Sequence, residues 1–211
     1  MGSEKWSFDK EAISWDQNQA RVRLTSDIAD TLAGENILSP DADVLDFGCG
    51  TGLLTLRLLP LVRSVTGVDS SRGMLDVLGT KIENQGLANI KTQQLDLANG
   101  DVLEGSFDVV VCSMTLHHVK EIRPLLDQFY GITAPRGYLC IADLDPDDGQ
   151  FHGENDTVFH QGFDRVMLRR ALRDAGFDEI RDRTAAKVLK PIPDGSLRSF
   201  SVFLMIGQRR H

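Results

Sequence analysis

Residues 44–52 read VLDFGCGTG: an apolar run broken by one acid, Asp46, then glycine at every second position, Gly48, Gly50 and Gly52, with Cys49 inside the loop. Bare glycine backbone lets a ligand approach closely, and glycine also supplies the left-handed conformation a structural turn needs. The dinucleotide fingerprint G-x-G-x-x-G is not met, because its third glycine would fall at Leu53. Asp69 ends the next apolar run, about 20 residues past the glycines, where a carboxylate can accept from both hydroxyls of a ribose. Together these residues suit an adenosine-type ligand without a pyrophosphate.

A second chemically rich stretch is ADLDPDDGQFHGENDTVFHQGF, residues 142–163. It sets Asp143, Asp145, Asp147 and Asp148 before Gly149, and carries His152, His160 and three phenylalanines. A long segment without helix or strand pattern inside a domain is functional or disordered, and the aromatic residues argue for order. It reads as a substrate lid over about 143–163, with Asp143, Asp145, His152 and His160 as polar contacts. No familiar metal-ligand spacing appears, so no metal is expected. His152-Gly153-Glu154 has the H-x-E form of zinc deaminases without the P-C-x-x-C partner. The three cysteines include no CxxC; Cys112 and Cys140 sit in apolar runs and read as small buried hydrophobes.

The elements that must position these residues alternate. An amphipathic N-terminal helix is expected over about 11–34, carrying the aromatic Trp15. DVLDFG reads as a strand, LLTLRLLPLV as a helix stopped near Pro60, and SVTGVD as a second strand. SSRGMLDVLGTKIENQG follows as a helix with Ser70 or Ser71 as N-cap and Gly86 as terminator. NIKTQQLD, SFDVVVCSM and GYLCIADL continue the strands, separated by a helix at EIRPLLDQFYGIT and a turn at APRG. FDRVMLRRALRDAG reads as a helix whose Arg165, Arg169 and Arg173 share one solvated face. Two final runs flank PIPDGS, where Asp194-Gly195 signals a hairpin. Repeated βα units give a parallel sheet with helices on both faces.

The chain of 211 residues has a net charge of −8, which disfavours broad attraction to nucleic acid or an anionic membrane. No apolar run is long enough to span a bilayer. MGSEKWSFDK lacks the apolar core of a leader, and Trp6 stands where a myristoylation signal needs Ser or Thr. A cytoplasmic, single-domain protein spanning 1–211, monomeric or homodimeric and without membrane insertion, is the expectation.

VLDFGCGTG, VTGVDSS, QLDLANG and FDVVVCSMTLHHV, taken in order, resemble the successive motifs of class I S-adenosylmethionine-dependent methyltransferases over residues 40–145. The likeness is in particular to the small-molecule branch that includes ubiquinone and menaquinone biosynthesis enzymes. It implies a Rossmann-like three-layer α/β sandwich with a seven-stranded, mostly parallel sheet whose last strand is antiparallel. By the same resemblance, Asp46, Gly48, Cys49, Gly50 and Gly52 hold the methionine end of S-adenosyl-L-methionine, with Asp46 toward its ammonium. Asp69 takes the ribose hydroxyls, Ser70 and Met74 follow it in the cofactor site with Met74 packed on the adenine, Asp96 accepts from the adenine amino group, and Leu97 offers a backbone NH. Ser113, Met114 and His118 lie under the methyl group, and Trp15 lies in the segment that folds over the cofactor.

Methyl transfer needs an aligned nucleophile and, for a hydroxyl, a base. The candidates are His117, His118, Asp143, His152 and His160, with His118 favoured by its place at the end of TLHHV. The acids, imidazoles and phenyl rings of the lid suit a compact, uncharged or cationic small-molecule acceptor rather than nucleic acid. A non-catalytic binding module is the alternative, and a nicotinamide enzyme a third reading, penalised by Leu53.

Overall fold

The computed structural model describes residues 7–153, 155–192 and 195–210. Met1, Gly2, Trp6, Glu154 and Asp194, named above for terminal signals, the H-x-E pattern and the hairpin, lie outside the described residues.

The chain begins with α1 (Phe8–Glu11), a 3-10 turn (Ala12–Gln17) and α2 (Gln19–Ala33). The single helix expected over 11–34 is therefore divided. Asn18 adopts extended backbone, and its side chain accepts from the Ala20 and Arg21 amides. An asparagine at this point satisfies orphan donors better as a cap than as a helical residue. Next come β1 (Asp43–Phe47), α3 (Thr55–Leu58), β2 (Ser64–Asp69), α4 (Arg72–Gln85) and β3 (Ile90–Gln94). The helix expected after the glycine loop is cut to α3 and a 3-10 turn, Leu59–Leu61, because Pro60 has no NH to continue it. Ser71, not Ser70, caps α4, and Gly86 ends it in left-handed backbone.

β4 (Phe107–Ser113), α5 (Ile122–Ile132) and β5 (Thr133–Leu144) follow, then α6 (Arg165–Asp174), β6 (Asp178–Pro191) and β7 (Leu197–Gln208). The APRG turn proves to be an irregularity within β5: the register with β4 jumps from Phe107–Thr133 to Val109–Tyr138. The strand order is β3-β2-β1-β4-β5-β7-β6, with β7 antiparallel to both neighbours and the other pairs parallel. This is the expected three-layer, mostly parallel α/β sheet with a reversed last strand.

Alternation along the central strands feeds two cores. Val109 and Val111 pack with α2, α3 and α4 residues such as Ile28, Leu58 and Leu78. Val110 and Cys112 pack with Leu126 and Phe129 of α5 and Leu172 of α6. The order reverses between β1 and β4, so their carboxyl ends splay and leave a crevice.

The arginine face of α6 is not simply solvated. Arg165 makes paired bonds to Asp145 at 2.7 Å and a longer one to Asp182, and Arg169 also pairs with Asp182. α6 thus ties the start of the 145–164 segment to β6. That segment has no regular helix or strand but is pinned at many points. Phe159 N donates to His117 O at 2.9 Å, Phe163 N to Leu144 O at 2.8 Å, and Asp145 N to Ser201 O at 3.0 Å. Among the described residues no helix is long and apolar enough to cross a membrane.

Candidate functional site

A cavity of about 810 Å³ opens at the carboxyl ends of the strands. Its floor is the loop after β1. All three glycines have positive φ, and a Cβ on Gly48 or Gly52 would also strike Thr115 or Leu78 at 2.2–2.3 Å. Gly50 differs: its nearest side-chain atom would be Met74 Sδ at 3.9 Å, so its bare face is turned to the cavity. The alternate glycines therefore serve both roles, two for close packing and one for ligand approach. Cys49 also lines the cavity, but burial pushes its thiol well above the ordinary range, which removes it as a nucleophile.

Two carboxyl groups face this floor. Asp69, at the end of β2, accepts from Gly50 N and Ser71 N, each at 2.8 Å, locking the loop to the start of α4. Burial raises its pKa, opposed by these amides. Asp46 is fully buried and accepts from Thr55 Oγ1 at 2.6 Å. Burial pushes its pKa up to about 6, and the Asp69 charge adds to the shift. A buried acid of this kind calls for a cation, and an ammonium group in the cavity would supply one.

The raised value carries a sign. The ordinary value is 3.8, so folding favours protonated Asp46. The penalty for ionised Asp46 is complete above about pH 6 and falls away between pH 6 and pH 4. Asp46→Asn should therefore stabilise the ligand-free protein by roughly 2–3 kcal/mol at pH 7 and by little at pH 4. Denaturant unfolding at the two pH values measures this, and equal stability at pH 7 would contradict it.

The other expected contacts are also brought to this cavity. Ser70, Met74, Asp96, Leu97, Ser113, Met114, His118 and Trp15 all line it. Asp96 already caps a 3-10 turn, accepting from Ala98 N at 2.9 Å and Asn99 Nδ2 at 3.0 Å, so any ligand donor must share its oxygens. Met114 holds φ 53 at the end of β4, a strained setting for a side chain of its size.

The histidines form a cluster against this edge. The rings of His117 and His118 lie 4.2 Å apart, and His152 sits 4.7 Å from His117 and 5.7 Å from His118. His118 Nδ1 meets the Thr157 carbonyl at 2.8 Å. Burial is the leading cause that lowers His118 to about 4 and His152 to about 3, so both stay neutral near pH 7.

Asp143 does not line the cavity. It is the penultimate residue of β5, wholly buried, with Oδ1 2.8 Å from His117 Nδ1. It also accepts from Leu144 N and His117 N. The expectation that it touches an acceptor from the lid is corrected: the strand extends through it and turns its carboxylate behind His117. A carboxylate accepting at Nδ1 leaves the lone pair at Nε2. That Nε2 is buried and has no hydrogen-bond partner among the described residues, as is true of His152 Nε2. His160 also turns away, its Nε2 3.0 Å from the Val119 carbonyl, and Asp145 is paired with Arg165.

Several wall residues carry no local sequence signal. Phe8 packs edge-on against His118 at 5.1 Å, Arg21 lies over Trp15 at 3.7 Å, and Val188 and Lys190 reach the cavity from β6. The N-terminal segment is strapped across the loop. Asp16 accepts from Thr51 Oγ1 at 2.5 Å and from Lys81, and Asp9 accepts from Ser71 Oγ at 2.6 Å and Gly73 N at 2.7 Å. Among the described residues no group of three or more His, Cys, Asp and Glu side chains is placed to hold a metal ion.

A crevice at the switch point, floored by glycine backbone and edged by the acids of β1 and β2, marks a Rossmann-like fold of the ligand-binding type. The comparison with known proteins narrows this: residues 44–137 match the family described as Methyltransferase domain. An uncharacterized methyltransferase of Schizosaccharomyces pombe is 32% identical over 143 residues, covering 64% of this chain and 50% of its own length. The ubiquinone biosynthesis O-methyltransferase of Coxiella burnetii is 32% identical over 102 residues, covering 48% of this chain and 43% of the relative. The chain thus spans about half the length, or less, of these curated relatives. Among solved structures, the DhpI–SAH complex superposes with a TM-score of 0.72 at 19% identity, over 96% of this chain and 92% of that one. The YcgJ protein of Bacillus subtilis gives 0.70 at 16% identity, over 87% and 98%.

Proposed function

We propose that this chain binds S-adenosyl-L-methionine and transfers its methyl group to a small-molecule acceptor. The observation that carries the reading is the convergence of Gly50, Asp46 and Asp69 on one cavity whose far wall is the His117–His118–His152 cluster. The residues fit such a cofactor. Asp46 faces its ammonium as the missing cation, and Gly50 admits the chain beside it. Asp69 takes the ribose hydroxyls, with Ser70, Met74, Asp96 and Leu97 around the adenine. When bound, the cofactor supplies a sulfonium methyl group, a donor that needs no further activation.

The protein's part is to align the acceptor and receive its proton. His117 is the base in this reading, in place of His118, because Asp143 fixes its tautomer and its Nε2 has no other partner. His152 packs over it from the 143–163 segment, so the acceptor reaches Nε2 as that ring shifts aside. Residues 143–163 and the N-terminal strap close the cavity and exclude water.

Calorimetry with S-adenosylmethionine, S-adenosylhomocysteine and NAD is the direct test. The first two should bind and NAD should not; binding of NAD alone would overturn the assignment. Labelled cofactor offered with a metabolite fraction, bulk RNA, DNA and protein then separates an enzyme from a binding module. Label should enter the metabolites.

A further inference from the structure

We propose that the acceptor carries an anionic head group, a carboxylate or a phosphate ester, held between Arg21 of α2 and Lys190 of β6. This rests on the methyltransferase reading and names the class of molecule that the site takes.

Ring contacts form a belt around the acceptor half of the cavity. Phe8 touches His118 at 5.1 Å, His118 touches His152 at 5.7 Å, and His152 touches Phe151 at 4.8 Å. The Lys190 ammonium stands 4.5 Å from the Phe151 centroid. On the other side Phe8 meets Trp15 at 5.8 Å, and Trp15 carries the Arg21 guanidinium at 3.7 Å. Both cations line the same cavity, each two aromatic rings away from His118 along its own run of contacts, and the Arg21 charge is felt at Lys190. An acceptor with its head group at the cations and a short apolar body would set its far end at the histidines.

Glu11 acts on Arg21 through space without forming an ion pair with it. Among the described residues no carboxylate lies within ion-pair distance of Arg21 or Lys190, and Lys190 donates only to the Phe151 carbonyl. Asp147, the acid that acts on Lys190 through space, spends its own oxygens on the Gly149 and Phe151 amides. Burial lowers the proton affinity of both cations, and the Arg21 charge lowers that of Lys190 further. An anion between them would reverse both effects, with the Arg21 fork suited to paired oxygens and Lys190 to a point contact.

The expectation of an uncharged or cationic acceptor relied on the four aspartates of the lid. Each is committed elsewhere: Asp143 to His117, Asp145 to Arg165, Asp147 to backbone amides and Asp148 to Arg198. None lines the cavity.

The test uses probes that share a phenyl body and differ in charge: benzoate, phenyl phosphate, benzamide and benzylammonium. Each is titrated into the protein loaded with S-adenosylhomocysteine and into the ligand-free protein. At least one anion should bind about tenfold tighter than benzamide, with benzylammonium weakest. The preference should fall below about threefold in Lys190→Gln and vanish in the Arg21→Gln/Lys190→Gln double variant, while cofactor-product affinity is kept. Benzoate against phenyl phosphate decides the head group. Equal binding of the series, no detectable binding, or a preference that survives the double variant would overturn the inference. Failure of S-adenosylhomocysteine itself to bind would overturn the methyltransferase reading instead, and the ligand-free titrations would still report on the cation pair.

Discussion

Asp69→Ala is expected to weaken S-adenosylhomocysteine binding by about 2–4 kcal/mol, roughly 30- to 1000-fold. Two losses combine. The first is the pair of charge-assisted bonds proposed to the ribose. The second is internal: Gly50 N and Ser71 N both donate to this carboxylate at 2.8 Å, and without it the bare face of Gly50 loses its position. Asp69→Asn keeps one acceptor and should fall between the parent and the alanine variant. Calorimetry measures all three. An unchanged Kd in the alanine variant would remove Asp69 from the ribose site and show that its bonds to Gly50 and Ser71 do not position the loop for binding.

The second large effect concerns His117. His117→Gln should lower kcat by about 10²–10⁴-fold and leave the S-adenosylhomocysteine Kd within about twofold. Asp143→Asn acts through His117 and should lower kcat with a displaced pH profile, because the amide no longer dictates which ring nitrogen carries the proton. Since both residues are buried, each variant needs a thermal midpoint alongside its kinetics. A folded His117→Gln protein with less than a threefold loss in kcat would mean that the reaction depends on alignment alone. His118→Gln, altering a wall already bonded to Thr157, should affect KM more than kcat.

Much of the fold was legible because its signals are local. Near-continuous apolar residues at Val109–Cys112 mark a strand buried on both faces, and they pair with β1 and β5 at the centre of the sheet. The glycine loop and Asp69 were legible because a strand, a tight turn and an acid at the next strand end leave a fixed spacing. What was not legible depends on pairings far apart in sequence. Lys190 and Val188 enter the cavity only because β7 runs back beside β5 and carries β6 with it. Asp143 reads both as the penultimate residue of the strand GYLCIADL and as the first residue of the lid; the β5–β7 ladder, which continues through Leu144–Val202, decides for the strand and sets its carboxylate behind a histidine. The arginines of α6 have the spacing of a solvated face, and only the positions of Asp145 beyond β5 and Asp182 on β6 show that the face is partnered.

The N-terminal strap gives the molecule a clock. Asp16 grips Thr51 within the glycine loop and Lys81 on α4, and Asp9 grips the first turn of α4. At Gly73 the fit is so close that a Cβ would stand 2.9 Å from Asp9 Cα. The backbone proposed to receive the cofactor is thus the backbone to which the strap is moored, and the strap's own Phe8 and Trp15 are cavity walls. Arrival and departure share one door. Loosening the moorings, as in Asp16→Ala, is expected to raise the association and dissociation rates of S-adenosylhomocysteine together, so that the Kd changes far less than the tempo of exchange, as stopped-flow binding would measure.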